Sequence, residues 1–151
     1  MRRTSFVLAG AVTSLVLAAC GGGGGPSKAE YIKKADAICA KGSKDSEEAA
    51  RGVIQNPANP TPEEAQAELQ KVIPVQKKGI QDLKALKRPD ADKGKLDTIY
   101  AAVDKVAAAY EQAAQSPQAS LALLKASGTD QDPNVAANKL AADYGFKECS
   151  K

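Results

Sequence analysis

The chain has 151 residues, with 21 Lys and Arg against 18 Asp and Glu, no histidine, no tryptophan and 4% aromatic residues. That is one domain's worth of chain, and its charges alternate in sign, which argues against the concentrated basic face of a nucleic-acid binder. The absence of histidine excludes Ser-His-Asp triads, Cys-His pairs, zinc helices of the His-Glu-x-x-His type and the Glu-x-x-His di-iron bundles.

The first stretch has the anatomy of an export signal. Met1-Arg2-Arg3 is a positive start, Phe6 to Ala18 is a short apolar run, and small residues precede a cysteine. The run falls short of the about 20 apolar residues a membrane span needs. Leu17-Ala18-Ala19-Cys20 resembles the bacterial lipobox. That resemblance implies a diacylglyceryl group on the Cys20 thiol, cleavage just before it, and a mature chain that begins at an acylated, palmitate-bearing Cys20. Two or more acyl chains give stable anchoring where one gives only marginal residence. The alternative is an ordinary cleaved signal with Cys20 as a free thiol. Arg2 and Arg3 leave with the signal and no acidic residue does, so the mature chain is close to neutral.

With Cys20 assigned to lipid, Cys39 and Cys149 remain. An even number of cysteines outside the cytoplasm pairs into disulfides, and two allow one connectivity. The bridge would close a loop of roughly 110 residues, worth on the order of 4–5 kcal/mol in the chain-entropy description. Two reactive thiols are the other reading, but no Cys-x-x-Cys motif supports it.

After the cysteine, Gly21 to Gly25 with Pro26-Ser27 forms a leash. Seven glycine-rich residues span roughly 15 Å. No strand precedes this tract and no Gly-Lys-Ser/Thr follows it, so it is no phosphate loop. The organisation is therefore a lipoprotein signal over 1–19, a lipidated cysteine and tether over 20–27, and a helical domain over 28–151.

Alanine, leucine, lysine and glutamine dominate that domain, and they favour helix over sheet. Ser27 and Glu30 read as a capping box opening a first helix to about Gln55, with Ile32, Ala35, Cys39, Gly42, Ser46, Ala49 and Val53 on one face. Asn56-Pro57-Ala58-Asn59-Pro60 breaks it. Thr61, Pro62 and Glu64 open a second helix to about Leu86, facing inward with Ala65, Leu69, Val72, Gln76, Ile80 and Leu83. Pro74 lies inside it, where a kink is expected.

Asp90 or Asp92 caps a third helix to about Gln115, with lines Leu96-Val103-Tyr110 and Ile99-Val106-Ala113. Ser116-Pro117 opens a short fourth helix with Leu121, Leu123 and Leu124, and Asp132-Pro133 a fifth with Val135, Leu140 and Tyr144. Gly145 reads as a left-handed stop and Phe146 as its apolar follower, packing back on Leu140 or Ala141 just before Cys149. The expected fold is all-α, a four- to five-helix up-down bundle with one disulfide.

Candidate chemistry is sparse. Glu47-Glu48 and Glu63-Glu64 are adjacent carboxylates that point to different sides of a helix and suit solvated faces or helix starts. Asp90-Ala91-Asp92-Lys93-Gly94 lacks the further acidic ligands of a calcium loop. No enzyme, metal or cofactor is expected. Tyr100 and Tyr110 are conceivable haem or ligand contacts, but tyrosines at helical spacing are usually core.

Three segments carry a family likeness. Tyr31-Ile32-Lys33-Lys34-Ala35-Asp36-Ala37-Ile38-Cys39, Leu83-Lys84-Ala85-Leu86-Lys87-Arg88-Pro89 and Tyr144-Gly145-Phe146-Lys147-Glu148-Cys149 resemble the small alanine-rich lipoproteins and secreted proteins of actinobacteria. The resemblance implies a helical fold clasped by Cys39 and Cys149, and carries no function with it. The functional expectation is a cell-membrane lipoprotein on the extracytoplasmic face, acting without catalysis as a binding or interaction module for an envelope protein. The alternative is a carrier for a small apolar ligand, with haem as one version, in a cavity between the second and third helices.

Overall fold

The computed structural model describes residues 25–151, so the signal, Cys20 and the first glycines of the tether lie outside the described residues. Five α-helices follow one another: α1 (Lys28–Ala50), α2 (Pro62–Ala85), α3 (Lys93–Ala113), α4 (Pro117–Ala126) and α5 (Asn134–Tyr144). Asp90–Asp92 forms a single 3₁₀ turn before α3. Among the described residues no strand occurs, and no helix is long and apolar enough to cross a membrane.

The helix starts follow their side chains. Ser27 and Glu30 close a reciprocal capping box on α1, and Thr61 and Glu64 do the same on α2. The Glu64 carboxylate also accepts the Gln55 N–H at 3.0 Å, tying the connecting loop to the helix it precedes. Ser116 caps α4 through the Ala119 N–H, with Pro117 in the first turn.

One expected boundary moves and one expected cap is not made. α1 stops at Ala50, because Gly52 takes φ +72° and turns the chain away before Val53. Asp92 stands at the start of α3 without capping it; its carboxylate accepts the Tyr144 hydroxyl at 3.0 Å instead. Asp132 serves α5 from just outside, accepting the Asn134 N–H at 2.8 Å and the Gly128 N–H at 3.0 Å. α2 runs unbroken through Pro74, which is exposed.

The close helix approaches are α1 on α2, α2 on α4 and α3, and α3 on α5 and α4. Two apolar clusters result. The larger gathers Tyr31, Ala35, Leu96, Ile99, Tyr100, Ala141, Tyr144 and Phe146 where α1 and α3 begin and α5 ends. The smaller gathers Leu69, Ala113 and Ala114, with Ile73, Tyr110, Ala119 and Leu123 against them, at the opposite end. Gln66 donates to the Ala114 carbonyl at 2.9 Å and stitches α2 to the end of α3 there.

Some apolar residues do not take the inward places their spacing suggested. Val135 is 50% exposed. None of Leu121, Leu123 and Leu124 is fully buried; the innermost side chain of α4 is Ser120, whose hydroxyl donates toward the Ala113 and Ser116 carbonyls at 3.0 Å each. A small side chain bonded to backbone lets α4 press close to the α3 terminus, which a leucine at that position would prevent.

Candidate functional site

The chain's last turn is built around a stop and a clasp. Gly145, at φ +111°, ends α5, and the Phe146 N–H returns to the Ala141 carbonyl at 3.0 Å. A Cβ on Gly145 would stand 3.3 Å from Ile32 of α1, so the tail approaches that helix closely. Phe146 is buried against Ala141, as the stop motif requires, with Leu140 nearby, and its ring lies 5.0 Å from Tyr144 and 6.1 Å from Tyr31. The chain then delivers Cys149 to Cys39, with S–S 2.01 Å and Cα–Cα 5.1 Å.

Asp36, one turn before Cys39, was not anticipated as a determinant of this clasp. Its carboxylate accepts the backbone N–H groups of Lys147, Glu148 and Cys149 at 3.0–3.2 Å. Three consecutive donors converging on one carboxylate form a nest, and hydrogen bonds to a charged acceptor are among the stronger ones in proteins. The only sequence signal was position: Asp36 precedes Cys39 by three residues, so both fall on one helix face.

Three tyrosines, Tyr31, Tyr100 and Tyr144, organise the same end. The Tyr31 and Tyr100 hydroxyls share a short hydrogen bond, and Tyr100 reaches the Leu83 carbonyl at 3.0 Å. Tyr144 meets Tyr31 edge-on at 6.5 Å, while the Lys28 ammonium sits 4.4 Å above the Tyr144 ring. Further along, Tyr110 accepts from the Asn134 side chain at 2.8 Å. Burial pushes all four phenols above their ordinary value; for Tyr144 the bond to Asp92 adds to it, and for Tyr100 the bond to Tyr31 does. Each of these hydroxyls is hydrogen-bonded to another group of the protein.

Between the two clusters the bundle is hollow. A partly open cavity of about 320 Å³ lies along its middle. Val75, Gln76, Gly79, Ile80 and Leu83 of α2 and Ile99, Tyr100, Val103, Val106 and Ala107 of α3 face it. α1 contributes Ile38, Cys39, Gly42, Ser43 and Ser46, and α5 contributes Asn134, Ala137, Asn138 and Ala141. The clasped tail adds Phe146, Glu148, Cys149 and Lys151, so the disulfide itself forms part of the wall. The cavity thus involves four helices and the tail, more than the α2–α3 gap expected, and Pro74 does not line it.

The cavity explains why the inward stripes are only half-buried in their middle reaches. On α2, Ala65, Leu69 and Val72 are buried, whereas Ile80 and Leu83 on the same face are not fully covered. On α3, Leu96 and Ile99 are buried, whereas Val103 and Val106 are not. Leaving large aliphatic groups partly wet forgoes about 25 cal/mol for each Å² that packing would remove from water.

Two interior helical glycines widen the hollow. Gly42 and Gly79 both line it, and a Cβ at either would meet nothing within 4 Å. Neither has the positive φ that would require glycine. Each costs its helix about 1 kcal/mol relative to alanine and is recompensed by no close backbone approach.

The polar groups of the lining are almost all neutral. Asn134 is engaged with Tyr110 and Asp132, and Glu148 pairs with Lys151 at 2.7 Å. Among the described residues, none bonds the side chains of Ser43, Ser46, Gln76 or Asn138. No group of Cys, Asp and Glu among the described residues is placed to hold a metal ion. No family model, curated protein or solved structure matches this chain.

Proposed function

We propose that this protein is a lipid-anchored lipoprotein of the extracytoplasmic membrane face that binds a small apolar ligand without catalysis. The carrying observation is the partly open cavity of about 320 Å³ at the middle of the bundle, lined mostly by apolar side chains beside the disulfide. Ligand sites are typically such concave, mostly apolar pockets with a few polar groups.

The remaining support comes from the lipobox ending at Cys20, the glycine tether after it, and a disulfide of the kind that persists in oxidising compartments. At about 30 Å³ for a group the size of water, the cavity takes roughly ten methylene-sized groups. Their transfer from water amounts to about 8 kcal/mol gross, which is about micromolar before the cost of association weakens it toward millimolar.

Two experiments test the parts separately. Metabolic labelling with a clickable fatty acid should mark the protein and fail on Cys20→Ser; a label that survives the substitution overturns the anchor. A native mass spectrum of protein purified from its host should carry a bound apolar adduct. A bare polypeptide mass from every membrane extract would favour an interaction module for an envelope protein instead.

A further inference from the structure

We infer that the ligand is a neutral, single-chain amphiphile: a slim hydrocarbon body with an uncharged hydroxyl, ester or amide head. The inference rests on the cavity being a ligand site and names the chemistry that fits it.

The body is identified by volume and lining. Gly42 of α1 and Gly79 of α2 each present open space at the position of a Cβ, and Ala107 of α3 and Ala137 of α5 also line the hollow. Small residues from four helices leave room at mid-bundle, while Ile80 and Val103 supply branched apolar walls. A flexible chain of roughly ten methylene groups matches the volume of about 320 Å³.

The head is identified by charge. At the open side, exposed Ser43 and half-buried Ser46, Gln76 and Asn138 supply hydrogen-bonding groups with no protein partner among the described residues. The two charged side chains of the lining, Glu148 and Lys151, neutralise each other. A carboxylate, phosphate or ammonium head would therefore meet no opposite charge left over for it among the lining residues. A neutral head loses little on leaving water, because amide and hydroxyl groups replace its hydrogen bonds.

The test is calorimetric titration of the domain with straight-chain 1-alkanols from hexanol to tetradecanol, alongside the decanoate anion and decylammonium. Affinity should tighten roughly fourfold per added methylene and level off near ten carbons. Decanoate and decylammonium should bind at least about tenfold more weakly than decanol. Gly79→Leu and Gly42→Leu should abolish binding while their melting temperatures stay at or above that of the parent.

Charged decyl compounds that bind as tightly as decanol, with the same chain-length steps, would leave the cavity reading standing and overturn the neutral head. No binding by any probe, with a ligand still copurifying from the host, would overturn the chain class alone. No binding and no copurifying ligand would overturn both. A dimer in sedimentation that Gly79→Leu dissociates would place a second copy of the chain in the hollow and likewise overturn the proposal.

Discussion

At the clasp end of the bundle Tyr31 and Leu96 are 1% and 0% exposed, and aromatic rings, a disulfide and the Asp36 nest converge within a few turns. Two turns further along the same helices, Ile38 and Val103 are only half-buried around an unfilled space. The two regions use the same four elements with similar apolar spacing. They differ in side-chain volume: Tyr31, Tyr100, Tyr144 and Phe146 fill one, and Gly42, Gly79, Ala107 and Ala137 leave the other open. Stability is concentrated where packing is dense, and room for a ligand exists where it is not. A fold of this size can keep a hollow because its ends are closed independently.

The strongest way to break that division is to open the clasp. Cys39→Ser with Cys149→Ser is expected to cost about 2–5 kcal/mol, read by thermal or urea unfolding. A loss below 1 kcal/mol would show that the tail is held without its bridge.

A matched pair of truncations sharpens the contrast. Leu96→Ala, in the filled cluster, should lose about 2–5 kcal/mol. Ile80→Ala, at the hollow, should lose only about 1 kcal/mol, since fewer packed neighbours are removed. Equal losses would mean the middle is packed as tightly as the end.

Next comes Asp36→Ala, which leaves three tail N–H groups without their acceptor and should cost about 2 kcal/mol. The same variant should speed reduction of Cys39–Cys149 by dithiothreitol; unchanged reduction kinetics would remove Asp36 from the clasp.

Glycine substitutions should then split in sign. Gly79→Ala should stabilise by about 1 kcal/mol, whereas Gly145→Ala should destabilise by about 1–2 kcal/mol because its φ of +111° strains any other residue. The reverse order in melting temperature would mean that Gly79 is needed for packing.

The smallest effects come with pH. The backbone N–H of Ser27 and that of Thr61 hold Glu30 and Glu64 below the ordinary carboxylate range. Burial works against the charge of Asp132, but the N–H groups of Gly128 and Asn134 outweigh it and lower that carboxyl too. Depressed folded values give stability that is present at neutral pH and lost as pH falls through the ordinary range toward the lowered values. Glu68 has the opposite sign: burial raises it, so its contribution is present at low pH and lost as pH rises. Glu68→Gln should raise the melting temperature slightly at pH 7, by less than about 0.5 kcal/mol equivalent, and not at pH 3.

Local chemistry was readable in advance wherever neighbours along the chain settle it. Ser27 with Glu30, Thr61 with Glu64, Pro117 after Ser116, and Gly145 before Phe146 each act over one turn, so residue type alone specified those helix starts and the final stop. The Cys39–Cys149 pairing was readable for another reason: with Cys20 assigned to lipid, two cysteines admit one partner each. Asp92 shows the limit. Its position suits a cap, yet the Tyr144 hydroxyl, 52 residues away, takes its carboxylate.

Tertiary structure alone decided the rest. The apolar period marks Ile80 and Leu69 as the same kind of residue, because spacing records which way a side chain faces and not how much volume stands opposite. Whether facing residues fill that volume depends on which helices meet and at what distance. The hollow at Gly42 and Gly79, the burial of Ser120 and the Asp36 nest therefore exist only once α1, α4, α5 and the tail have docked.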